Sequence, residues 1–123
     1  MKNLLILITI MVAGCATPLT PEQKQKRLRD SVLGEYELKL EDGTTHKHVL
    51  LENGIVEWYN NGNKLVEYKW SIVDGEIHVE FSSEFIRVFR INPDKSITLI
   101  AGIRDGKRTD RPKEHHITLK KIK

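Results

Sequence analysis

From Leu33 onward, apolar residues recur at every second position, and turn signals interrupt them every eight to twelve residues. The signals are Asp-Gly at 42–43, Asn-Gly at 53–54, Asn-Gly-Asn at 61–63, Asp-Gly at 74–75, Asn-Pro-Asp-Lys at 92–95 and Asp-Gly at 105–106. A period of two, broken by residues that tolerate left-handed backbone, predicts an antiparallel all-β meander. The strands expected are about 34–41, 44–52, 55–60, 64–73, 76–81, 85–91, 96–104 and 115–122.

Hairpin arithmetic tests this pattern. Two-residue turns at 42–43, 53–54 and 74–75 would set Tyr36 opposite Val49, Val49 opposite Trp58, Trp70 opposite Val79 and Ile72 opposite Ile77. A two-residue turn at 61–62 would break that face, so a three-residue loop with a left-handed residue is expected, restoring Trp58 opposite Val66. The inward set then runs through Tyr36, Leu38, Leu40, Val49, Leu51, Val56, Trp58, Val66, Tyr68, Trp70, Ile72, Ile77, Val79 and Phe81. It continues with Phe89, Ile97, Leu99, Ala101 and Ile103. Registers that agree on one face define a single buried surface. Eight strands with one heavy apolar face form an up-and-down barrel, which leaves no open edge; a small β-sandwich is the alternative.

The first 32 residues follow a different pattern. Lys2 and the terminal amine precede a short apolar run from Leu4 to Val12, then Ala13, Gly14 and Cys15, the single cysteine. This has the three parts of an export signal, and its apolar run is far below the ~20 residues a spanning helix needs. Val12-Ala13-Gly14-Cys15 resembles the lipobox of bacterial lipoproteins. The resemblance implies that residues 1–14 are a cleaved signal peptide and that Cys15 is the lipidation site. Acyl chains (palmitate among them) would then anchor the protein in the membrane, two or more chains being needed for stable attachment. Ala16, rather than Asp, after the cysteine implies an outer-membrane address facing the periplasm. With Cys15 acylated, no thiol remains for a disulfide, catalysis or metal ligation. Residues 15–32 then form a tether, in which Thr20, Pro21 and Gln23 predict a capped helix over about 21–30 carrying Lys24, Lys26, Arg27 and Arg29. Residues 33–123 form the all-β domain.

Gly34-Glu35-Tyr36 at the head of the first strand, followed by a meander with an arginine-bearing late segment, resembles the small lipocalin-like domains of bacterial lipoproteins. In those domains a glycine and an aromatic (usually Trp) open strand one beneath a late basic residue. Tyr36 departs from the usual Trp, and neither Arg104 nor Arg108 matches the late position securely.

The charge balance bears on partners. Removing Lys2 with the leader leaves 19 basic and 17 acidic residues, too near balance for a nucleic-acid binder. Residues 34–80 hold ten acidic and four basic side chains, and residues 104–123 hold eight basic and three acidic. Arg104, Lys107, Arg108, Arg111 and Lys113 crowd the longest connection, a candidate surface for an anionic partner: a protein or another envelope component. On the sixth strand, whichever face turns inward brings an arginine with it, Arg87 or Arg90; the bland expectation is an arginine at the rim or paired with Glu84. Lys47, Trp58, Trp70 and Arg87 are the candidate pocket residues. His46 and His48 are expected outward, with His115 and His116 able to approach from the last strand, but no carboxylate completes a metal-ligand pattern.

No catalytic residues are assigned. The sequence offers no Ser-His-Asp arrangement, no glycine-rich phosphate loop and no paired inward carboxylates, and it implies no cofactor. Two non-enzymatic readings follow: an interaction module with a filled interior, or a lipocalin-like carrier of a small amphipathic or anionic ligand. The discriminating observable is an open cavity of roughly a few hundred Å³ inside the barrel.

Overall fold

The computed structural model describes residues 18–123; the leader and Cys15 lie outside the described residues. Nine strands are hydrogen-bonded: β1 (Gly34–Lys39), β2 (Thr45–Leu50), β3 (Ile55–Asn60), β4 (Asn63–Val73), β5 (Glu76–Glu80), β6 (Phe85–Ile91), β7 (Ile97–Arg104), β8 (Lys107–Asp110) and β9 (Ile117–Lys121). Eight of them close into an antiparallel barrel by sequential hairpins from β1 to β7, then β7 to β9 and β9 to β1. The short β8 shares an edge of β7 with β9: Ile97–Leu99 pair with β9, and Ala101–Arg104 with β8. Among the described residues, no helix is long and apolar enough to cross a membrane.

Helix α1 (Pro21–Ser31) precedes the barrel and begins as the sequence predicts, with Thr20 and Gln23 forming a reciprocal capping box and Pro21 in the first turn. It packs better than its thin apolar side suggests. Leu28 and Leu33 lean on the core and Val32 is only 1% exposed. Arg29 does not face outward with the other cations of the tether. Its guanidinium lies 4.7 Å from the Trp70 ring and donates to the Glu52 carbonyl at 2.8 Å. Gln25 reaches the Ile72 carbonyl, and the Tyr36 hydroxyl donates to the Val32 carbonyl at 2.7 Å. Burial pushes the Tyr36 phenol up to about 12. These contacts seal the barrel end that carries the 51–54, 74–75 and 92–96 turns.

Most of the expected registers hold: Trp58 opposite Val66, Val56 opposite Tyr68, Trp70 opposite Val79 and Ile72 opposite Ile77. The Trp58–Val66 pairing arises from a two-residue turn at Asn61-Gly62 plus a bulge, rather than from a three-residue loop. The exception is β2. Asp42-Gly43 and Asn53-Gly54 each sit in a three-residue loop, closed by Gly43 to Leu40 and Gly54 to Leu51 hydrogen bonds. Each loop slips the register by one, and the slips cancel across β2. Tyr36 and Trp58 keep their inward face, but between them stands His48, not Val49. Leu50 is the buried residue of this strand, while Lys47, Val49 and Leu51 leave the inner face.

A bulge at Ile100 also shifts β7. Phe89 faces Leu99, but Val88 faces Ala101, Arg87 faces Gly102 and Phe85 faces Arg104. Ile103 therefore turns outward, contrary to the alternation, and the inner face of this half of β7 carries Gly102 and Arg104. The long basic connection is partly a strand: Asp105 and Gly106 form a left-handed two-residue turn, and Lys107–Asp110 return along β7.

Candidate functional site

The strand directions place the turns at 40–44, 61–62, 81–84 and 105–106 at the end opposite α1. This end is open. A cavity of ≈ 260 Å³ descends from it, lined by Leu38, Leu40, His46, His48, Trp58, Arg87, Phe89, Leu99, Ile117 and Leu119. A second cavity of ≈ 320 Å³ lies beside it, between Phe85, Arg87, Ala101, Gly102, Arg104, Thr109 and Arg111. Arg87 lines both, so an apolar chamber and a cationic vestibule meet at one guanidinium.

The β2 slip creates the wall of the chamber. It turns His46 and His48 inward, where sequence alternation expects them outward. The His48 ring lies 5.1 Å from Trp58 and 6.3 Å from Phe89, both edge-on. Burial, then Arg87 and then His46 hold the His48 imidazole down to about 4, so it is neutral near neutral pH. His46 Nδ1 and Trp58 Nε1 are buried without a hydrogen-bond partner among the described residues. His115 and His116 do not join this pair. His116 lines a separate groove with Arg90, Ile100, Arg108, Asp110 and Arg111, and no group of three or more metal-ligating side chains forms among the described residues.

The same slip removes Lys47 from the interior. Its ammonium lies 3.2 Å from a Glu35 carboxylate oxygen and 4.8 Å from the Tyr59 ring centroid, on the outer wall. Trp70 faces inward as expected but lies at the sealed end beneath Arg29, its indole donating to the Leu51 carbonyl at 2.9 Å. It does not line the cavity. Of the four expected pocket residues, Trp58 and Arg87 do.

Arg87 emerges from β6 opposite Val79 on one side and Gly102 on the other. Its guanidinium lies 4.3 Å from the Phe81 ring centroid, within an aromatic cluster in which Tyr68 and Phe81 approach to 4.4 Å. No carboxylate pairs with it among the described residues, Glu84 included. Burial, and after it the Arg111 charge, lower its proton affinity. Arg104 comes from the end of β7, its guanidinium 4.7 Å from the Phe85 ring centroid. Arg111 follows β8, its Nε donating to the His115 carbonyl at 3.1 Å. Lys107 shares the inner face through its pairing with Arg104.

Arg108 is the exception in the basic segment. It projects outward, donates through two nitrogens to the Glu76 carboxylate at 2.7 and 3.1 Å, and reaches Asp110 at 3.0 Å. Sequence reasoning found the cations but not their grouping. Arg87 joins Arg104 and Arg111 only because β7 bulges and β8 folds back beside it.

Comparison with protein-family models, curated proteins and solved structures finds no match for this chain. The fold and site define a small closed β-barrel, sealed at one end by a helix and open at the other into a cavity with a cationic lip.

Proposed function

We propose that this protein is a lipid-anchored binding protein of the cell envelope, non-enzymatic, whose barrel takes up a small amphipathic anion. The observation that carries this reading is the junction at Arg87. One guanidinium, without a carboxylate partner among the described residues, divides an apolar chamber of ≈ 260 Å³ from a vestibule bearing two further arginines. Leu38, Trp58, Phe89, Leu99, Ile117 and Leu119 offer a surface for an apolar body, and Arg87 offers charge-assisted hydrogen bonds for an acidic head. An interaction module with a filled interior accounts less well for the open chamber and for an inward cation with no counter-charge among the described residues.

The anchor fits this arrangement. If Cys15 is acylated, the five residues from it to Thr20 span at most about 18 Å. Helix α1, against the sealed end, then lies near the lipid, and the open mouth faces away into the aqueous compartment. The outer-membrane, periplasm-facing address that the lipobox resemblance implies would put that mouth among soluble envelope components.

Trp58 provides the test. Titration of octanoate and octyl phosphate should change its emission, and Trp58→Phe should remove that response while leaving the Trp70 signal. A response that survives Trp58→Phe places the ligand elsewhere and contradicts the reading.

A further inference from the structure

Arg87, Arg104 and Arg111 line a single vestibule, and none of them is ion-paired among the described residues. Residues 1–17 contain neither Asp nor Glu, so the leader holds no counter-charge for them. The neighbouring cations differ. Arg108 is bound by Glu76 and Asp110, Lys47 by Glu35, and Lys64 by Glu57 and Glu67, all on the outer wall. Acidic side chains are thus abundant around the barrel and kept off this face.

The vestibule is also built to hold its cations in place without neutralising them. The Phe85 ring lies 4.7 Å from the Arg104 guanidinium and 6.0 Å from that of Arg87. A Cβ at position 102 would come within 3.1 Å of the Phe85 ring, so Gly102 leaves the room that ring occupies. The Arg111 bond to the His115 carbonyl engages Nε alone. Its two terminal nitrogens remain donors.

A carboxylate head would cancel one of three positive charges. A phosphate monoester carries about −1.5 to −2 near neutral pH and three acceptor oxygens, matched to guanidinium forks. The geometry points to this vestibule as the site of a phosphate monoester headgroup, whose alkyl chain passes Arg87 into the apolar chamber. This rests on the amphipathic-anion reading above and narrows it to one class of head.

The test is calorimetric titration of the full chain held in phosphatidylcholine vesicles, with blank vesicles subtracted. The probes are octyl phosphate, octanoate and inorganic phosphate. Octyl phosphate should bind at least about tenfold more tightly than octanoate, a margin set by the added charge-assisted bonds. Arg104→Gln combined with Arg111→Gln should erase that margin, while Lys47→Gln on the outer wall should leave it. Equal affinity for octyl phosphate and octanoate overturns the phosphate assignment and leaves the amphipathic reading intact. Inorganic phosphate binding as tightly as octyl phosphate upholds the phosphate site and removes the carrier reading. Binding of none of the three overturns both.

Discussion

Replacing Arg87 with Met separates what this residue does for the fold from what it does for a ligand. Arg87 is half-buried, its guanidinium has no carboxylate partner among the described residues and rests 4.3 Å from the Phe81 ring centroid. Exchanging buried charge for an apolar chain of similar length is often neutral or stabilising, by about 1–4 kcal/mol where charges are deeply buried. Arg87 also faces a cavity, so the lower part of that range applies. Losing its cation–π contact removes about 0.5–2 kcal/mol. The two nearly cancel, and Arg87→Met should change stability by no more than about 1 kcal/mol in either direction. For a domain of this size 1 kcal/mol corresponds to about 4–8 °C, so the melting temperature should stay within a few degrees of wild type. Ligand affinity should behave oppositely. Charge-assisted hydrogen bonds contribute about 1.5–3 kcal/mol, so octyl phosphate should bind roughly ten- to a hundredfold more weakly. Melting by circular dichroism and titration of the same sample read both quantities. A melting temperature well below wild type, with ligand affinity unchanged, would mean that Arg87 is a structural cation and not a binding one.

Three further outcomes are expected. Stability should fall with acidification between about pH 6.5 and 4, because His48 is held down to about 4 while the unfolded chain protonates at its ordinary value. The sign follows because a depressed histidine favours the fold only while neutral; the loss amounts to at most about 3 kcal/mol, and His48→Phe should lessen the fall of the melting temperature over this interval, leaving the smaller part due to the likewise depressed His78. Trp70→Ala should cost about 3–5 kcal/mol, since the side chain is 4% exposed, supports Arg29 and donates to Leu51; an unchanged melting temperature would contradict the sealed end as described. Cys15→Ser should abolish incorporation of radiolabelled palmitate and leave an unprocessed precursor, and undiminished labelling would remove the lipid anchor from the proposal.

The strands and most of their pairings were legible in the sequence because alternation and turn dipeptides agree on one face. The β2 strand was not. Asp-Gly and Asn-Gly serve two turn geometries: at 74–75 both residues are left-handed, whereas at 42–43 and 53–54 only the glycine is. In those longer loops Asp42 accepts from the Thr44 N–H and Asn53 from the Ile55 N–H, a choice the dipeptide alone does not dictate. Hydrophobicity points the wrong way here, because Val49 and Leu51 outrank His46 and His48 as core residues. The two slips cancel, so the neighbouring strands give no warning. The error fell on the chamber wall because that wall trades apolar packing for histidines.

The return strand β8 was hidden for another reason. Lys107, Arg108, Thr109 and Asp110 are all exposed, so no alternation marks them, and only the Asp105-Gly106 turn hints at a hairpin. The Ile100 bulge left no signal either. Arginines separated in sequence by up to 24 positions, from Arg87 to Arg111, meet only through these two irregularities.

The most direct test of the binding cavity is nuclear magnetic resonance of the protein with octyl phosphate, observing contacts between ligand protons and side chains. The alkyl protons should show intermolecular Overhauser effects to Trp58, His48, Phe89 and Leu99, and the phosphorus signal should shift in wild type and require roughly ten- to a hundredfold more ligand to do so in Arg87→Met. Effects confined to outward residues such as Leu65 and Ile122, with the Trp58 ring unaffected, would contradict a ligand inside the barrel.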